Sequence, residues 1–188
     1  MSPPDYMAVL ATEVLWNRAL PERVFLRQPV ISVFFDGGLL GIEGFLEDVI
    51  GWSNSAFDED DAVLAICDRE DGQLLRADLL GLSKIDLSRD CRAAKTYWRS
   101  QQVDRPNRTC VLFNDSMRWM LYEEELEDFG VLVLFEEHLS ITQSSEWLAL
   151  MHRFATKFDI ESDLAKGADS NLLSIYKREF LTKLLANY

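Results

Sequence analysis

Histidine is the first residue type to examine for chemistry, because it is the commonest acid–base residue and metal ligand near neutral pH. The sequence has two, His138 and His152. Neither has a second histidine three or four residues away, and no HExxH or similar set of ligands occurs. The sequence therefore predicts that both are structural or solvated residues, and it predicts no catalytic residue.

Cysteine is the second candidate nucleophile, and Cys67, Cys91 and Cys110 all fall at apolar positions of the sequence. A reactive thiolate needs cationic neighbours. Only Cys91 has them, in Arg89 and Arg92, and no histidine is near it in sequence. No CxxC, GxSxG or phosphate-binding GxxxxGK[ST] motif is present. We expect buried, reduced cysteines and no cofactor.

Four consecutive carboxylates, Asp58-Glu59-Asp60-Asp61, are the third candidate. Clustered carboxylates suit hard cations such as Ca²⁺ and Mg²⁺, but this spacing matches no EF-hand loop. The cluster is typical of a solvated acidic turn, so no metal site is predicted. A metal-dependent hydrolase built from carboxylates far apart in sequence stays open as an alternative.

Charge is distributed unevenly along the 188 residues, whose formal net charge is −13. No lysine or arginine occurs between Gln28 and Asp68, and a second acidic stretch covers residues 123–137. Basic residues collect on the predicted middle helix, where they either form a solvated face or pair with the second acidic stretch: Arg89, Arg92, Lys95 and Arg99. Such an acidic chain disfavours nucleic acid and anionic membranes and attracts basic partners.

These acidic stretches and the aromatic residues beside them predict a surface that binds a basic protein partner. Carboxylates in loops speed association with a basic protein, and exposed aromatics anchor the contact. The predicted partner-binding residues are Trp52, Asp58, Glu59, Asp60, Asp61, Trp119, Tyr122, Glu124, Glu125, Glu127 and Asp128.

Strands are predicted where β-branched and aromatic residues lie between turn signals. They cover residues 30–35, 62–67, 73–80, 109–113, 117–122 and 129–135, with Asp71-Gly72 as a hairpin turn. The short links between the last three favour an antiparallel meander. Apolar periodicity predicts helices over residues 6–20, 39–52, 86–102, 146–158 and 170–186, with a loop at 161–169.

Together these elements predict an α+β fold in one domain over residues 1–188. A mostly antiparallel sheet of about five to six strands has helices packed on one face and is followed by two C-terminal helices. Residues 28–137 are rich in sheet and residues 144–188 are helical. The stretch Met1–Asp5 has no signal-peptide pattern and no apolar run is long enough to cross a membrane, so a cytoplasmic location is expected.

The segment Asp115–Leu134 has a short strand with a central tryptophan, Trp119, then an acidic connection and an apolar strand. In this it resembles the meander of bacterial immunity proteins, small acidic proteins that neutralise toxins. The resemblance covers about 25 of the 188 residues. It implies an inhibitor without catalytic residues that covers the basic surface of a cognate toxin. The alternatives are an accessory or scaffold subunit, the carboxylate-dependent hydrolase and an acidic mimic of nucleic acid.

Overall fold

The computed structural model describes residues 5–59, 61–101, 108–124, 129–136, 139–167 and 171–188. The strands are β1 (Ile31–Asp36), β2 (Asp61–Glu70), β3 (Gln73–Ser83), β4 (Arg108–Asn114), β5 (Trp119–Glu124) and β6 (Phe129–Leu134). The helices are α1 (Tyr6–Glu13), α2 (Phe45–Phe57), α3 (Leu87–Gln101), α4 (Leu139–Thr142), α5 (Ser145–Leu150), α6 (Lys157–Lys166), α7 (Asn171–Ile175) and α8 (Arg178–Asn187). No helix in these ranges is long and apolar enough to cross a membrane.

The strands form one antiparallel sheet in the order β1-β6-β5-β4-β2-β3. This confirms the α+β class, the antiparallel meander of β4, β5 and β6, and the hairpin of β2 and β3 at Asp71-Gly72. Strand β1 returns to pair with β6, so that Phe35 lies opposite Gly130. The sheet therefore has β1 at one edge and β3 at the other.

Helices cover both faces of the sheet, which corrects the expectation of helices on one face. Alternate residues of a strand point to opposite faces, and in β2 Leu64 and Ile66 join one core layer while Val63 and Ala65 join the other. The first core layer is completed by α2, α3 and α5. The second is completed by α1, α6, α8 and the segment 14–25.

The chain changes face by passing around the edge strand β1. Backbone hydrogen bonds join Phe34 to Ala155 in both directions, at 2.9 and 2.6 Å. The helix predicted over residues 146–158 is therefore wrong: α5 ends at Leu150, a 3₁₀ turn covers Met151–Arg153, and Phe158 is 75% exposed instead of buried. A capping box of Thr156 and Asp159 then begins α6, which occupies most of the predicted loop 161–169.

Three other helices differ from their predicted bounds. Helix α1 stops at Glu13 because Val14 forms a β-bridge with Phe25, so the prediction of a helix to residue 20 is wrong. Helix α2 begins at Phe45, after Gly44 in a left-handed conformation, and not at residue 39. The predicted last helix is divided into α7 and α8.

Candidate protein-binding surface

Part of the first acidic stretch forms an exposed group of carboxylates at one end of the sheet. Asp58 follows α2 in a left-handed conformation, with φ of 53°, and Asp61 begins β2. Because Ala62 pairs with Asn114, the turn that carries Asp115 lies beside the start of β2. We call Asp58, Glu59, Asp61 and Asp115 the acidic end. Asp60 lies outside the described residues.

Tyr6 of α1 reports the negative potential at the acidic end. Its hydroxyl donates a 2.7 Å hydrogen bond to Oδ1 of Asp115, and its ring packs edge-on against Phe113. This hydrogen bond, followed by burial and the charges of Asp115 and Asp61, raises the pKa of Tyr6 from 10.0 to about 12. The charges of Asp115 and Asp61 contribute to this shift, but the hydrogen bond to Asp115 is its largest cause.

The carboxylates of the acidic end have no cationic partner within the described part of the chain. Some acids elsewhere in the molecule are paired: Glu47 lies 3.1 Å from Lys95, and Asp48 lies 2.6 Å from Arg153. No described lysine or arginine forms an ion pair with Asp58, Asp61 or Asp115. Oε2 of Glu59 is shielded from solvent and accepts no hydrogen bond from a described residue. The acidic end therefore has unused capacity to accept hydrogen bonds and ion pairs.

Glu123 and Glu124 of the second acidic stretch do not join this surface. Glu124 is 5% exposed; it accepts a 3.1 Å hydrogen bond from the backbone N–H of Leu20 and forms an ion pair with Arg69. Its neighbour Glu123 points to the opposite face, where it accepts a 2.8 Å hydrogen bond from the backbone N–H of Leu39. The prediction of Glu124 as a partner-binding residue is corrected, because this carboxylate holds the 14–25 segment to the sheet. Glu125, Glu127 and Asp128 lie outside the described residues.

The three aromatic anchors expected from the sequence are buried, which also corrects the prediction. Trp52 and Trp119 are 1% and 0% exposed and pack edge-on in the first core layer, with ring centroids 5.8 Å apart. Tyr122 is 1% exposed and packs against Phe25 in the second core layer. Since helices cover both faces, aromatic residues on either face of these strands become core residues.

Glu124 and the acidic end lie at opposite ends of the sheet. Asp61 begins β2, whereas Asp68 near the other end of β2 pairs with Arg108, and the next residue of β4, Thr109, pairs with Glu124. Seven residues of extended strand separate the two ends by about 23 Å. Glu124 therefore cannot join a docking surface at the acidic end, whereas Glu136, 3.9 Å from Arg118, lies at the same end of the sheet as Asp115. The structure groups Asp58, Glu59 and Asp61 with two residues that sequence reasoning missed, Asp115 and Tyr6.

The missed residues left only a weak signal in the sequence. Asp115 lies in the turn Asn114-Asp115-Ser116, which the sequence identifies as a connection. Its position beside Asp61 depends on the register between β2 and β4, which pairs residues far apart in the chain, such as Ala62 with Asn114. Tyr6 reaches Asp115 across 109 residues. Such long-range register is not encoded in local periodicity.

A concave surface with a volume of about 640 Å³ lies away from the acidic end, between α3 and the segment 40–47. It has charges of both signs, because Glu43 and Glu47 face Arg92, Lys95 and Arg99. Lys95 pairs with Glu47 and not with the second acidic stretch, which answers the question that the sequence left open about the basic helix. No acid of the described residues pairs with Arg92 or Arg99.

The cysteine and histidine side chains that could do chemistry are buried or lie apart from one another. The prediction of buried cysteines is confirmed, and burial raises the pKa of Cys91 to about 12 and that of Cys67 well above its usual value. The imidazole of His152 is exposed and contacts the backbone carbonyl of Ala149, whereas His138 lies outside the described residues. Over the described ranges, no three or more histidine, cysteine and acidic side chains group in a way that could hold a metal ion.

The apolar stripe of the C-terminal helices is also buried. Tyr176 and Leu184 are 7% and 0% exposed, and Leu173 and Phe180 pack partly buried against the second core layer. An accessory subunit that used this stripe for assembly would leave it open in the isolated chain. The stripe contributes to the fold instead.

The chain was compared with known proteins at the levels of family, sequence and structure. No protein-family model, curated protein or solved structure matches it.

Proposed function

We propose that this chain is a non-catalytic protein that binds a basic protein partner through the acidic end, as an immunity or inhibitor protein does. The observation that carries the proposal is the group of exposed carboxylates without cationic partners at Asp58, Asp61 and Asp115. Lysine and arginine side chains of a toxin or another basic protein would supply the missing partners.

Electrostatics supports this use of the acidic end. A net charge of −13 attracts a basic protein from a distance and raises the rate of encounter. Charges that are unpaired before binding need not break an internal ion pair to form a new one. Charge-assisted hydrogen bonds between arginine and carboxylate are among the strongest polar contacts that an interface can form.

Rigidity supports it as well. Asp61 begins a strand that is paired on both sides, and Asp115 lies in the tight turn between β4 and β5. The hydrogen bond from Tyr6 ties this turn to α1. Groups that are held in place before binding lose little conformational entropy when the partner arrives.

Affinity capture from a lysate of the source cells tests the proposal, with wild type and two charge-reversal variants as baits. The variant D61K/D115K reverses two charges of the acidic end. The matched control E146K/E161K reverses two exposed acids on the helical part of the chain and changes the net charge equally. We expect one basic protein to be captured by wild type and by the control and to be lost with D61K/D115K.

Two results would contradict the proposal. One is a partner that D61K/D115K captures as well as wild type does. The other is a partner that both variants lose equally, because this would show a dependence on net charge and not on the acidic end. Circular dichroism and thermal unfolding of the purified variants show whether each remains folded.

A further inference from the structure

Strand β3 forms an edge of the sheet with one side of its backbone open. It pairs with β2, and no strand of the described residues lies on its other side. Leu75 and Leu79 of this strand are 58% and 38% exposed, although both are large and apolar. A long edge strand with exposed leucines is a template for pairing with a strand of another chain.

The apolar residues of β3 form a palindrome around Ala77, and the two charged residues beside Ala77 are of opposite sign. Residues 74–80 read Leu-Leu-Arg-Ala-Asp-Leu-Leu. If two copies of this strand pair antiparallel about a two-fold axis at Ala77, Leu75 of each copy lies opposite Leu79 of the other. Arg76, which forms a 2.6 Å ion pair with Asp78 of its own strand, then also lies opposite Asp78 of the other copy, so that four alternating charges form one cluster across the interface. A surface that complements itself in this way is what a two-fold interface requires.

We propose that β3 pairs with β3 of a second copy of this chain, so that two sheets join into one continuous antiparallel sheet. Backbone hydrogen bonds would pair along the open edge, and each Leu75 would be covered by the partner's Leu79. Cross-strand apolar and opposite-charge pairs each stabilise an antiparallel pair. The strand itself has no net charge, so it adds no net repulsion between two acidic chains.

The surroundings of β3 leave room for this pairing. Leu75 is the bulged residue of β3, since Asp68 pairs with Arg76 and Arg69 with Leu74, and pairing with β2 is regular from Arg76 to Ser83. Helix α3 contacts β3, where the hydroxyl of Tyr97 donates a 2.8 Å hydrogen bond to Asp78. The small residues Ala93, Thr96 and Ser100 line the surface of α3 around Tyr97, which allows two copies of α3 to approach closely.

Sedimentation equilibrium of the full chain tests the proposal. Wild type is expected to have twice the chain mass of 21.6 kDa. Arg76→Asp places like charges opposite each other twice and should weaken dimerisation about tenfold, whereas R76D/D78R restores opposite charges and should recover it. Ile85→Lys is the control, because Ile85 is 90% exposed and lies outside the palindrome. A monomeric wild type at all concentrations, or equal weakening by the control, overturns the proposal.

Disulfide cross-linking tests the register directly. Leu75→Cys mixed with Leu79→Cys should form a covalent dimer on mild oxidation, because directly opposite strand residues lie within disulfide range. Each variant alone should not, since identical residues would be about 13 Å apart along the strands. The native cysteines Cys67, Cys91 and Cys110 are buried and give a low background. Cross-linking of the mixture no better than that of Ile85→Cys contradicts the proposed pairing.

Discussion

Tyr6 and Asp115 show how single residues set the potential of the acidic end. The phenol donates to a carboxylate that has no cationic partner in the described part of the chain. Because only the protonated phenol can donate, the hydrogen bond favours the neutral form. Its contribution to stability is complete below pH 10 and is lost as the pH rises through about 12.

We predict that a difference titration of wild type against Tyr6→Phe, followed by ultraviolet absorbance, gives a midpoint of about 12 for Tyr6. Asp115→Asn should move this midpoint towards 10.0, because it removes the charge that stabilises the neutral phenol. A wild-type midpoint near 10.0, or a midpoint that Asp115→Asn leaves unchanged, would contradict the arrangement.

The amino-acid sequence predicts only part of the candidate protein-binding surface. The acids at Asp58, Glu59 and Asp61 were found because charge in a connection is visible in sequence, and so was the burial of the cysteines. Trp119 and Glu124 are buried, although the sequence predicts that they bind a partner. The sequence shows which residues alternate along β5, but it does not show which elements cover each face of the sheet. Glu124 is buried by an ion pair with Arg69, a residue 55 positions away.

At the scale of elements, β1 and β6 depend on a close approach that only glycine permits. Phe35 of β1 pairs with Gly130 of β6, and its ring lies across the glycine. A Cβ at position 130 would lie 2.0 Å from Cζ of Phe35. The ring also packs between Phe45 and Phe154, so it has little room to move.

Gly130→Ala is therefore predicted to lower the free energy of unfolding by about 2 kcal/mol, because the added methyl group overpacks the first core layer. Gly51→Ala is the control: Gly51 is exposed in α2, and no atom lies within 4 Å of the added methyl group. It should leave stability unchanged or raise it by up to about 1 kcal/mol. Urea unfolding measures both, and a Gly130→Ala variant as stable as wild type would count against this packing.

Strands were easier to predict than helices, for a physical reason. The strands β4, β5 and β6 are buried on both faces and are therefore continuous apolar runs between turn signals. The end of α5 at Leu150 is not visible in the sequence. The apolar residues there keep helical spacing up to residue 158: Trp147, Leu150, Phe154 and Phe158. Tertiary pairing of Ala155 with Phe34 overrides that local pattern. Helices α6 and α8 on the second face follow from this one crossing of the β1 edge.

At the scale of the whole molecule, acidic residues fall into two groups, one buried beside β5 and one at the acidic end. Near β5, buried carboxylates bind backbone N–H groups and stabilise the fold. At the acidic end, carboxylates remain without cationic partners in the described part of the chain. We therefore place the proposed docking surface for a basic protein at the acidic end, and its contribution to binding is expected mainly in the association rate.

The most direct measurement is the association rate constant of the captured basic partner as a function of salt, for wild type, D61K/D115K and E146K/E161K. The rate for wild type and for the control should fall steeply as salt rises. D61K/D115K should associate about tenfold more slowly at low salt and show a flatter dependence. Equal rates and equal salt dependence for wild type and D61K/D115K would contradict docking through the acidic end.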